Sequence, residues 1–339
     1  MRANDSAIAP ESVAVDSTAA DRPEPVSPTR TPTRTPTEPP GFWHTTWGGS
    51  VLAALGVVSF SLTFPGTAWA LEGLGPWSTV GVRLVLAGLV AGGCLLALRV
   101  PLPRRADWSG IAVVAGGVVI GFPLLTTLAL RTSSTSHAAV VVGLLPLTTA
   151  ALAAVAYPLL PSRRNAAPPR PSRTFWLAAV AGAAVVGAFT VGQSGGAVRL
   201  ADLYLLAALL VCAAGYTEGG RLARHLPGWQ VIAWALVLCL PLSAVGALLA
   251  LRVEPVALTG HAVAGLLWIA LGSQFAGLLV WYRGMAVIGV PRASQLQLAQ
   301  PLLTLFWSAT LLGEQLTPAA PLAATAVLVC IAVTQRAGR

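Results

Sequence analysis

The chain has 339 residues, 55 % hydrophobic and only 10 % charged, whereas soluble domains carry roughly 25 % charged residues, so a soluble globular fold is excluded. The net charge of +9 comes entirely from arginine, spread through short loops rather than gathered in one patch, which argues against a nucleic-acid partner. Cys94, Cys212, Cys239 and Cys330 all fall in apolar runs without CxxC spacing, and the four histidines have no partner at ligand spacing, so neither a disulfide framework, a metal site nor a cofactor is expected.

Residues 1–47 are rich in Pro, Ser, Thr, Ala and Glu, include TPTRTPTEPP (31–40), and predict a disordered tail with polyproline character. No apolar segment precedes it, so no cleavable signal peptide is expected. From Gly48 the chain breaks into ten apolar runs near 48–71, 77–98, 109–130, 136–157, 175–195, 200–220, 229–251, 263–282, 290–312 and 318–335. Each approaches the roughly 20 residues a helix needs to cross a bilayer core, and none alternates as a membrane strand would. The fold class is therefore an all-α integral membrane protein with ten transmembrane helices and the lipid bilayer as its surroundings. Of the 21 arginines, 17 lie in the tail, the even-to-odd loops and the C-terminus, three (Arg131, Arg199, Arg252) in the opposite loops, and Arg83 within a span. The positive-inside rule then places both termini in the cytoplasm, with the protein in the cytoplasmic membrane.

In the first run Ser59, Thr63 and Thr67 form a hydroxyl face around Pro65-Gly66, consistent with a kinked gating helix. Back-bonding of Ser and Thr to their own helix is the alternative. Arg83 lies two turns inside the second run, where a charge costs roughly 2.5–3.5 kcal/mol at the membrane centre. Snorkelling outward or pairing with Glu72 is the expected relief. Gly88 with Gly92, and Gly117 with Gly121, suit close helix packing. The sixth run carries Tyr216, a candidate substrate contact, and Glu218, spaced to pair with Arg221. In the eighth, Gln274 and Trp281 share a face, so Gln274 can donate to a substrate while Trp281 stacks on it; packing is the competing reading.

The ninth run holds QLQLAQPLLT (295–304), three glutamines and a proline in an apolar setting. Gln297, Gln300, Thr304, Trp307 and Ser308 recur at helical spacing on one face. Pro301 removes the donor for the carbonyl of Gln297, which a membrane helix tolerates where water or side chains replace it. The stripe reads as the wall of a wet, protein-enclosed cavity, or as polar contacts between helices, which average only about 0.6 kcal/mol each. Gln295 points away from it.

Residues 121–157 align without gaps on 276–312, an offset of 155 that sets Pro146 on Pro301 and Thr149 on Thr304. Five helices per half is an odd number, so the halves, 48–195 and 200–337, must enter the membrane in opposite directions, as in many secondary transporters with a midplane site. Pro301 followed by Gly313-Glu314, the paired HAAVVVGLLPL (137–147), and Arg83 in WSTVGVRLVLAGL (77–89) resemble the drug/metabolite transporter superfamily, its ten-helix members built of two EamA-type repeats. The first half departs from that pattern, ending in YPLLPSRRN (157–165) where many relatives carry a second Gly-Glu. The resemblance implies a central cavity surrounded by helices 1, 3, 4, 6, 8 and 9, with Pro65, Pro146, Pro301, Arg83 and Glu314 as structural or gating positions. It implies a small-molecule substrate, an amino acid or related metabolite, and export rather than uptake. No Walker A sequence appears, so ATP does not drive transport. Exchange, facilitated diffusion and proton coupling stay open, as do monomer and homodimer.

Two other classes compete. GQSGG (192–196) satisfies a rhomboid-like GxSG, with Ser194 as nucleophile and His261 as base, but the first ends the fifth run and the second sits in an outer loop. A non-transporting membrane scaffold would produce no flux.

Overall fold

The computed structural model describes residues 45–159, 172–193, 197–288, 293 and 296–337. The tail 1–44, the 160–171 linker with most of YPLLPSRRN, Ser194, Arg292 and Gln295 lie outside the described residues.

Eight helices of 21–29 residues are long and apolar enough to cross a membrane: α1 (Thr46–Leu71), α2 (Pro76–Ala97), α3 (Arg105–Leu130), α4 (Thr135–Val155), α5 (Arg173–Gln193), α6 (Leu200–Leu222), α7 (Gly228–Val253) and α8 (Gly260–Ile288). Two shorter ones follow, α9 (Gln300–Leu311) and α10 (Ala319–Ala337). The described residues contain no β-strand, only an isolated bridge between Leu74 and Val256. The all-helical membrane fold stands. The expected ninth span is described as a helix only from Gln300, shorter than the run from 290.

The starts of the helices follow from local chemistry. Thr45, Ser134 and Thr259 each accept a hydrogen bond from the backbone N–H three residues on, and Pro76 occupies the first turn of α2 where its missing donor costs nothing. α9 ends at Gly313, whose φ of +64° lies in the left-handed region open to glycine. The Glu314 N–H then returns to the carbonyl of Ser308 at 3.1 Å.

The repeat is visible in backbone detail. α4 breaks at Gly143-Leu144 and the chain before α9 turns at Leu298-Ala299, in each case two residues before the proline. Leu144 N–H donates to Val141 at 3.1 Å and Ala299 N–H to Leu296 at 3.0 Å; Thr148 donates to Leu144 and Leu303 to Ala299. Each pair of bonds is related by the offset of 155. Even the π-helical stretches correspond, Ala115–Gly121 in α3 and Trp268–Gly277 in α8. Each inserts an extra residue into a turn, a distortion frequent at functional sites.

Equivalent helices run in opposite directions. Glu314, just past the end of α9, accepts from the backbone N–H groups of Thr135 and Ser136 at the start of α4, at 2.7 and 3.0 Å. Glu254, at the end of α7, accepts from Trp77 and Ser78 at the start of α2, at 3.2 and 2.7 Å. Packing follows the same two-fold relation: α2 against α7, α5 against α10, and α3 with α6 matched by α8 with α1. Glycines permit the closest approaches. Gly117 faces the Val211 carbonyl and Gly284 the backbone of Ala53, where a Cβ would collide with main-chain atoms.

Candidate functional site

The two proline breaks meet. The Pro301 ring lies against Gly143, so the irregular turns of α4 and α9 face one another between the halves. Beside them is a partly open cavity of about 500 Å³. Its lining runs from Phe64, Ala139 and Thr304 to Gly220, Arg221 and Arg224 at the end of α6. Pro146, Thr149, Tyr216, Thr217, Gln297, Gln300 and Pro301 form the wall between. Such a volume, mostly apolar with a few converging polar groups, matches a small-molecule site.

Of the residues singled out in the sequence, Gln297, Gln300, Thr304, Tyr216, Pro146 and Pro301 lie on this wall. The repeat persists in side-chain bonding: Thr149 Oγ1 donates to the Leu145 carbonyl at 2.8 Å and Thr304 Oγ1 to the Gln300 carbonyl at 3.0 Å. A threonine one turn after each break thus bonds a carbonyl near the proline.

The rest of the stripe needs correction. Trp307 and Ser308 share the face but stand further along α9, where it meets α1 instead of open space. Trp307 Nε1 donates to Ser61 Oγ at 3.0 Å, and Ser308, fully buried, donates to Thr304 O at 2.9 Å. Gln274 and Trp281 are likewise off the wall. Gln274 accepts from Arg83, and Trp281 is buried between α8 and α1, edge-on to Phe60. Thr63 is bonded to Ser273 Oγ at 2.6 Å, and Ser59 Oγ donates to the Gly272 carbonyl at 2.8 Å, within the π-helical stretch of α8. Of the hydroxyl face Ser59, Thr63 and Thr67, it is Thr67 that bonds back to its own helix, to Thr63 O. These side chains form an interhelical network beside the cavity.

Arg83 neither snorkels nor meets Glu72. It is 5 % exposed, and Nη2 donates to Gln274 Oε1 at 2.7 Å. Glu72 instead faces His261 at 3.3 Å, and that imidazole stacks on Trp69. Pro65 is buried in α1 just after the interruption at Leu62. Glu218 pairs with Arg221 at 2.9 Å, as the spacing predicts.

At the end where α4 and α6 begin, a second, polar cavity of about 220 Å³ is lined by Thr132, Ser133, Ser134, His137, Gln193, Arg199, Ala201 and Asp202. His137 Nε2 and Asp202 Oδ1 are buried 2.8 Å apart, and Asp202 Oδ2 accepts from Arg199 N–H. Gln193, at the end of α5, donates to Thr317 beside α10, while His261 belongs to the α1–α8 corner.

Sequence reasoning passed over Thr149, Thr217 and Phe64. Thr149 had a signal, its alignment with Thr304. Phe64 had none, since a buried aromatic beside a proline reads as packing.

The comparisons agree with this architecture. A solved structure described only as the crystal structure of a protein aligns with a TM-score of 0.58 at 20 % identity, over 85 % of this chain and 98 % of its own, a likeness of fold alone. The "Uncharacterized transporter YdeK" of Bacillus subtilis (strain 168) is 39 % identical over 291 residues, covering 86 % of this chain and 98 % of the relative. The EamA-like transporter family matches twice, over residues 47–159 and 199–335, the two halves that the breaks and helix directions define. A membrane chain of two opposed, proline-broken repeats matched across both halves has one assignment: the protein belongs to the EamA-like transporter family.

Proposed function

We propose that the protein is a secondary transporter that carries a small, partly polar metabolite, of the amino-acid class or related to it, outward across the cytoplasmic membrane by alternating access, with both termini in the cytoplasm. One observation carries the reading: a cavity of about 500 Å³ beside the facing breaks of α4 and α9, running toward the end marked by Arg221 and Arg224. Under the positive-inside rule that end is cytoplasmic. The opposite end is held by Glu314 on α4, Glu254 on α2 and the His137–Asp202 pair. One side accessible and the other stapled is one half of an alternating-access cycle.

Gln297, Gln300, Thr149, Thr217 and Thr304 supply the polar contacts, and Phe64, Leu145 and Leu328 the apolar ones. That mixture suits a cargo with a polar head and an apolar body. The broken turns are the natural hinges, because the backbone there is already freed from regular helix bonding.

The test is flux of a labelled panel of amino acids and amphiphilic metabolites into proteoliposomes, with and without a pH gradient. Gln300→Leu is expected to lower the flux of the transported compound at least tenfold, about 1.4 kcal/mol. Unchanged flux in that variant removes Gln300 from the site; no flux of any compound returns the scaffold reading.

A further inference from the structure

Arg83 is a fixed positive charge inside the protein that has no negative partner among the described residues. It lies seven residues into α2, about 10 Å from that end of the helix, and is 5 % exposed. Its single described bond is to a neutral acceptor, Gln274 Oε1, and Nε has no partner among the described residues. The carboxylates at that end of α2 are committed elsewhere, Glu254 to the N–H groups of Trp77 and Ser78 and Glu72 to His261. A second orphan stands beside it. Thr79 is one turn before Arg83 on the same face of α2, fully buried, with Oγ1 unpartnered. Side chains of a helix lean toward its N-terminus, which is the direction of Thr79 from Arg83.

Buried charges are ordinarily paired and buried hydroxyls bonded. Two unmet donors and one uncompensated cation on a single helix face call for the same ligand, a small group that carries negative charge and accepts hydrogen bonds. We infer that Arg83, Thr79 and Gln274 form a binding site for a monovalent anion, either a carboxylate or a halide. The anion accepts from Arg83 Nε and Thr79 Oγ1, while Gln274 holds the guanidinium planar to it. The site lies behind α1: Gln274 adjoins Ser273, which bonds Thr63, and Phe64 then faces the cavity. The inference stands apart from the transport reading, since an anion at Arg83 stabilises the fold whether or not anything is carried.

The experiment is thermal unfolding of the purified full-length protein in detergent. Sodium gluconate, a bulky hydroxylated carboxylate, is the reference salt and is replaced at constant ionic strength by sodium chloride in one arm and sodium acetate in the other. The expected result is a saturable rise in Tm of about 3 °C or more, in the chloride arm for a halide site and in the acetate arm for a carboxylate site. Thr79→Val should shift the midpoint of that rise to higher anion concentration. Arg83→Gln should abolish the rise, and Gln274→Glu, which supplies the negative charge from the protein, should raise Tm in gluconate and remove the dependence on added anion. A flat Tm for the unaltered protein in both salts overturns the proposal. So does a rise that survives in Arg83→Gln, which marks a general salt effect, or a lower gluconate Tm in Gln274→Glu. The last variant decides the matter if Arg83→Gln fails to fold.

Discussion

Glu314 shows what a single side chain does here. Gly313 turns the chain through a left-handed conformation, and that turn delivers the carboxylate to the first two amides of α4. The Gly-Glu pair is thus a physical unit, a swivel and an anion on a helix N-terminus, where the dipole favours negative charge. Glu314→Ala leaves both amides without their acceptor and should cost about 1–3 kcal/mol, lowering Tm in detergent by roughly 3–8 °C. Glu72→Ala, whose carboxylate and histidine partner are largely exposed, should change Tm by less than about 1 °C. Equal losses in the two variants would disprove the capping argument. Glu254, the counterpart on α2, escaped sequence reading because a carboxylate at a helix end looks the same whether it faces water or another helix. The Gln297, Gln300 and Thr304 stripe was legible because helical spacing fixes a face. Which part of that face meets a cavity and which meets α1 depends on a partner about 240 positions away in sequence, so Trp307 and Ser308 could not be sorted.

At the scale of helices, the prolines and the close glycine contacts act in opposite senses. The breaks at Gly143-Leu144 and Leu298-Ala299 loosen α4 and α9, while Gly117 locks α3 onto α6 and Gly284 locks α8 onto α1. Gly117→Val sets a branched side chain against the Val211 carbonyl and should destabilise by about 1–3 kcal/mol or prevent folding, read as loss of the monodisperse peak on size exclusion. Pro301→Ala restores the missing backbone donor and should leave Tm unchanged or higher while slowing flux several-fold; a faster variant would show that the break is not the hinge. The prolines and the repeat offset announced the paired breaks, whereas the π-helical stretches were invisible. One extra residue in a turn alters neither composition nor hydrophobic spacing enough to register.

For the whole molecule, composition alone decided the class, because 55 % hydrophobic residues in long runs leave no soluble alternative. The odd number of spans per half, read together with the gapless offset, also made the inversion legible, and α4 and α9 indeed run antiparallel. The proposed orientation, with the cavity open toward the cytoplasm, yields a labelling prediction. In a chain whose native cysteines are replaced, Thr149→Cys should react with a membrane-impermeant thiol reagent in inside-out vesicles at least fivefold faster than in right-side-out ones. The reverse ratio would turn the orientation over. The staple on α4 bears on how the carrier resets. Two charge-assisted bonds worth roughly 3 kcal/mol together would leave fewer than about 1 % of unloaded molecules open at that face. On the proposed cycle, a molecule that so rarely turns round empty would be geared to swap one passenger for another: preloading vesicles with unlabelled cargo should speed labelled uptake, and Glu314→Gln should erase that advantage by letting the vacant form slip back.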